Sequence, residues 1–87
     1  MAYRVEFTSS AIAELGKVSK EVQKRVLRKV RWLGENFDAV TPQPLAANLK
    51  GLFKLRVGDY RVIYSWDSDS QCITIHKVGH RRDIYTD

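Results

Sequence analysis

The stretch LFKLRVGDYRVIYSWDSDSQCITIHKV, residues 52–78, decides the fold. It contains three runs rich in β-branched and aromatic residues, LFKLRV (52–57), YRVIYSW (60–66) and CITIHKV (72–78), divided by GD and by DSDSQ. In the first run Phe53, Leu55 and Val57 fall on one side and Lys54 and Arg56 on the other, the two-residue period of a strand with one buried face. A two-residue GD link is short enough to close a hairpin. The stretch therefore predicts a meander of three antiparallel strands.

Upstream, AYRVEF (2–7) alternates in the same way, with Tyr3, Val5 and Phe7 opposed to Arg4 and Glu6, and reads as a further strand. TSS (8–10) offers N-caps for a short helix that runs through Ile12 and Leu15 and ends near Gly16. Ser19 caps a longer helix with Glu21 in its first turn. Val22, Val26, Val30 and Leu33 recur along it at helical spacing, while Lys20, Lys24, Arg28 and Arg31 take the other faces. Gly34 and Asn36 weaken this helix, and DAVTPQPLAAN (38–48), with its two prolines, reads as a surface loop. No repeat or low-complexity tract interrupts the chain. The expected architecture is a single α+β domain over residues 1–87, ordered β-α-α-β-β-β with a short C-terminal tail. Two N-terminal helices pack on a mainly antiparallel four-stranded sheet.

A chain of 87 residues supports one small core. Its 44% apolar and 29% charged content is ordinary, but 15 Lys and Arg against 10 Asp and Glu give a net charge of +5, which favours a polyanionic partner. The one cysteine, Cys72, has no internal disulfide partner and reads as a small buried hydrophobe. MAYRVEFTSS lacks the apolar core of a signal peptide, and no run approaches the roughly 18 apolar residues of a membrane span. A cytoplasmic protein with no membrane partner is expected. Zinc-spaced Cys/His clusters, a Gly-rich phosphate loop and a G-x-S-x-G elbow are all missing, so neither a metal nor another cofactor is expected.

The candidate chemistry lies in the cations and aromatics of the second half: Lys50, Lys54, Arg56, Arg61, Lys77, His80, Arg81, Arg82 and Tyr85. Lys54 and Arg56 share one face of their strand, and Arg61 follows just across the GD turn. Cations held this close repel one another unless an anion lies between them, so the group reads as a phosphate-binding surface. The alternative for any one of them is a solvated basic face. His76, inside a strand, reads as packed or hydrogen-bonded, whereas His80, following Gly79 beyond the strand, is open between packing and function. Trp32 and Trp66 read as core residues. Tyr85, beside Arg81 and Arg82, suits contact with a base or a ribose.

NLKGLFKLRVGDYRVIYSWDSDSQCITIHKVGHRRDIY (48–85) resembles the C-terminal half of the RelE/ParE superfamily of bacterial toxins, in its RelE-like branch, through LKGL, KLRVGDYRVIY and VGHRRDIY. The N-terminal half agrees in layout more than in sequence. The resemblance implies a small sheet with two helices against it and a toxin that enters the ribosomal A site, cuts mRNA there without a metal and is blocked by a cognate antitoxin. It implies contact with rRNA, and with operator DNA only through the antitoxin. It assigns Lys54 to activation of the ribose 2′-hydroxyl, Arg61 to the charge on the scissile phosphate, Arg81 to the departing 5′-oxygen and Tyr85 to stacking on or orienting the substrate. Lys50, Arg56, His80 and Arg82 are then RNA- or ribosome-binding residues, with His80 a rival to Arg81 as the acid. Leu52 stands where some relatives carry a further lysine. A ParE-like inhibitor of DNA gyrase and a non-enzymatic basic binding module are the alternatives.

Overall fold

The computed structural model describes residues 2–45 and 51–82. Strand β1 (Arg4–Phe7) leads into helices α1 (Ser9–Leu15) and α2 (Lys20–Glu35) and a 3-10 turn (Phe37–Ala39). Then come β2 (Gln43–Pro44), β3 (Phe53–Val57), β4 (Tyr60–Asp67) and β5 (Cys72–His80). They form one sheet in the order β1-β5-β4-β3-β2, in which β1 runs parallel to β5 and every other pair is antiparallel. The β-α-α-β-β-β order and the α+β class agree with the sequence reading. The sheet nevertheless has five strands rather than four.

The fifth is Gln43–Pro44, inside the segment read as a loop, pairing with Lys54 and Phe53. Proline cannot donate to a ladder and so survives only at a sheet edge, where β2 lies. The pairing continues with the Leu45 amide donating to the Leu52 carbonyl at 2.9 Å. Leu45, Ile63 and Leu52 thereby form a small apolar cluster on the face of the sheet away from the helices.

Both helices start where the sequence offers caps. Thr8 Oγ1 accepts from the Ala11 amide at 3.1 Å and Ser19 Oγ from the Val22 amide at 3.2 Å, each satisfying one of the otherwise unpaired first-turn donors. The side-chain amide of Gln23 donates through Nε2 to the Leu15 and Val18 carbonyls and ties the end of α1 to α2. Ala11 of α1 and Val26, Val30 and Leu33 of α2 bury themselves against Val62, Tyr64, Ile73, Ile75 and Val78. Burial pushes the Tyr64 phenol up to about 12, keeping it neutral.

The two tryptophans are not core residues: Trp32 is 43% and Trp66 37% exposed. Trp32 precedes Leu33 by one position, about 100° around the helix, and so lies on the flank of the buried stripe rather than within it. Trp66 rests its ring against Tyr3, Phe37 and Phe53 at the rim of the core.

At the other end of α2 the helix meets β1. The Tyr3 amide donates to the Gly34 carbonyl at 2.9 Å, and a Cβ built on Gly34 would stand 2.9 Å from the Tyr3 carbonyl oxygen and 3.0 Å from a Val5 methyl. Only glycine permits this approach. Gly34→Ala is expected to lower unfolding free energy by about 1–3 kcal/mol, the usual cost of overpacking, read as a fall in the urea midpoint at unchanged slope.

The β4–β5 ladder shifts register between Ile63 and Tyr64: Tyr64 pairs with Ile75 but Ile63 with Lys77, leaving His76 as the extra residue of a bulge. The alternation of β5 changes there, so Ile73 and Ile75 face the core before it and Val78 after it. Arg61 consequently pairs with Gly79, and Tyr60 with His80. Beyond the end of β1, Glu14 of α1 takes the place of a neighbouring strand. Its Oε1 accepts from the Val78 amide at 2.9 Å and its Oε2 meets Lys77 Nζ at 3.4 Å.

Candidate active site

Strand alternation sends Phe53, Leu55 and Val57 toward the helices, where all three join the main core. Lys54 and Arg56 project from the opposite face, as the sequence predicts. Gly58 takes φ +59° at the first position of the two-residue turn after β3, a conformation that suits glycine, and the chain reverses so that Arg61 pairs directly with Arg56. Gly79, on the other side of Arg61, adds no side chain there.

Gln43, Lys54, Arg56 and Arg61 line one hollow of about 260 Å³. Gln43 stands opposite Lys54 in the ladder, so the short β2 completes the wall. Among the described residues the lining carries three cationic side chains, one neutral amide and no carboxylate. An anion placed between like charges stabilises them, so a hollow of this lining can take a phosphate or a similar group, with arginine able to grip it through two parallel N–H donors.

The remaining predicted residues divide. The Arg81 amide donates to the Asp59 carbonyl at 2.9 Å, which fixes the start of the tail against the β3–β4 turn, at the same end of the sheet as Arg56 and Arg61. Arg82 follows, its amide donating to His80 Nδ1 at 3.1 Å. Both arginines are exposed. His80 belongs to β5 rather than lying beyond it, because the bulge lets the ladder continue through the Tyr60 pair. Its ring meets Tyr60 edge-on at 5.3 Å, and it lines a separate hollow with Glu14, Lys17, Tyr60 and Lys77. His80 thus turns to the helix side while Arg61 turns away from it. Tyr85 and Lys50 lie outside the described residues. His76 bonds through Nε2 to Ser65 Oγ at 2.7 Å, and Cys72 is buried, the roles expected of both.

One feature escaped the sequence reading. Arg25, Arg28, Lys29 and Trp32 recur at i, i+3, i+4 and i+7, one continuous face of α2, and with Arg56, Val57 and Gly58 they line a groove of about 420 Å³. The spacing is visible in the sequence, where Arg28 falls among the cations of the outer faces, but the candidate chemistry was sought in the second half of the chain.

A metal-binding group of three or more His, Cys, Asp or Glu side chains is absent among the described residues. No helix there is long and apolar enough to cross a membrane. The family described as "ParE toxin of type II toxin-antitoxin system, parDE" matches residues 5–85. The chain therefore belongs to the RelE/ParE family of toxins from type II toxin–antitoxin systems. It is 32% identical over 85 residues to Toxin RelG of Mycobacterium tuberculosis, covering 98% of each chain. Among solved structures it is similar to the toxin–antitoxin complex RelBE2 of Mycobacterium tuberculosis, at 29% identity and a TM-score of 0.84 over 93% of each chain. It is also similar to the RelE–RelB complex of Pyrococcus horikoshii, at 29% identity and a TM-score of 0.73, covering 93% of this chain and 97% of that one.

Proposed function

We propose that this toxin is a metal-free endoribonuclease that cuts mRNA in the ribosomal A site. The hollow in which Lys54, Arg56 and Arg61 converge carries the reading. In such a cut the substrate 2′-oxygen bonds to phosphorus and the bond from phosphorus to the 5′-oxygen breaks, leaving a 2′,3′-cyclic phosphate and a 5′-hydroxyl. The 2′-hydroxyl must lose a proton, the phosphorane charge must be neutralised and the leaving oxygen must gain a proton. Lys54 assists the first and Arg61 the second. The turning of His80 toward Tyr60 favours Arg81 for stabilising the leaving oxygen, with water as the proton source, since arginine holds its own proton tightly. Tyr85 stacks on or orients the substrate, and Lys50, Arg56, His80 and Arg82 serve RNA or ribosome binding.

The reading extends to partners and place. The RelBE2 structure is a toxin–antitoxin complex and the archaeal one a complex of RelE with RelB, and a cognate antitoxin with an acidic or amphipathic segment suits this +5 chain. Operator DNA is reached only through that partner, and the site of action is the cytoplasm, where ribosomes and rRNA are met.

A site of a few cations supplies little acid–base power alone, so the ribosome must hold the scissile phosphate in line. The purified toxin is expected to cut mRNA on programmed ribosomes and to leave the same RNA almost intact when it is free. Equal cutting of both contradicts the reading. The family's ParE description favours a second one, inhibition of DNA gyrase, which predicts intact mRNA and loss of supercoiling.

A further inference from the structure

The groove beside α2 continues the proposed cleavage hollow. Arg56 lines both, so it joins the cations of Lys54 and Arg61 to Arg25, Arg28 and Lys29 on the other side of the β3–β4 turn. The Arg25 guanidinium lies over the turn, where a Cβ on Gly58 would stand 2.8 Å from its Nη2. Arg25, Arg28 and Arg56 form no ion pair among the described residues. Lys29 Nζ stands 4.2 Å from the centroid of the Trp32 ring, a cation–π contact that keeps the ammonium at the groove while the ring stays 43% exposed.

We infer that this groove is a second RNA subsite, which holds the phosphodiester backbone of the single strand flanking the cut phosphate. The inference rests on the ribonuclease reading above. Cations answer phosphates, and an exposed indole among them offers a base a surface to stack on, which an acidic peptide without aromatic rings cannot use. The position explains why Arg56 has two neighbourhoods: it is the step between the phosphate at the cut and the next ones along the strand.

The test uses fluorescein-labelled 2′-O-methyl oligonucleotides of three and nine residues, which cannot be cut through a 2′-hydroxyl, and the purified toxin without ribosomes. The nine-residue strand is expected to bind at least about tenfold tighter than the three-residue one and to show a steeper salt dependence, by about 0.7 in the log–log slope for each added phosphate contact. Arg25→Gln combined with Arg28→Gln is expected to remove most of that gain, to cut the slope by about 1.4, and to weaken the short strand less than twofold. The paired Lys variants, Arg25→Lys with Arg28→Lys, should restore most of it. Equal salt slopes for the two lengths in the wild-type protein overturn the inference, a result that needs no variant to fold. So does a Gln pair that binds the long strand like wild type. If the Gln pair loses only a poly-glutamate probe and keeps RNA, the groove belongs to an acidic protein. Intact mRNA on ribosomes together with length-dependent binding sinks the ribonuclease reading alone.

Discussion

Arg61→Ala is expected to lower the single-turnover rate of mRNA cleavage on ribosomes by at least about tenfold, about 1.4 kcal/mol of transition-state stabilisation. Arg61 is the one cation that β4 contributes to the hollow, paired with Arg56 of β3 on one side and with Gly79 of β5 on the other. Val62, the next residue, is fully buried and anchors the strand, so truncating Arg61 leaves the fold intact. Ribosome binding should fall less than the rate, because the role proposed for Arg61 is exerted most where charge develops. Arg81→Ala should cost a similar factor, whereas His80→Ala should cost less. Wild-type rates for both arginine variants overturn the assignment, and a His80→Ala loss equal to that of Arg81→Ala moves the leaving-group role to the imidazole.

The second large effect concerns stability. Leu33 is fully buried on α2, where it shares the core with Val30, Phe37 and the strands beneath. Leu33→Ala removes that side chain and leaves a cavity, with an expected loss of about 2–5 kcal/mol in unfolding free energy, measured by urea denaturation. Domains of this size hold only about 5–15 kcal/mol, so the variant should be near the edge of folding at 37 °C. A loss under about 1 kcal/mol would mean that α2 is less firmly packed on the sheet than its burial shows.

The periodic parts of the fold were readable. The stripe of Val22, Val26, Val30 and Leu33 marked α2, and the alternation of Phe53, Leu55 and Val57 with Lys54 and Arg56 fixed which face of β3 would be cationic. The rest required contacts between distant residues. Pro42 and Pro44 signal a turn locally, and only the edge position beside β3 turns Gln43–Pro44 into a strand. The bulge at His76 depends on matching β5 to β4, and that match, not the local sequence, decides that His80 joins Tyr60 and Gly79 faces Arg61. The apolar run around Trp32 suggests a core residue, but its position beside Leu33, a quarter-turn off the buried stripe, leaves it 43% exposed. The α2 cations were legible as a helical face. Their approach to Arg56 and Gly58 was not, because it depends on how α2 crosses the sheet.

The central claim is that this toxin cuts mRNA through the substrate's own 2′-hydroxyl on the ribosome. Programmed ribosomes carrying either an all-ribose mRNA or one with a single 2′-deoxy sugar at the scissile nucleotide test it most directly, with end-labelled product followed after addition of excess toxin. Rapid cleavage of the first to a 2′,3′-cyclic phosphate, and survival of the second, is the predicted result. Equal cleavage of the two, or none of either, would contradict it.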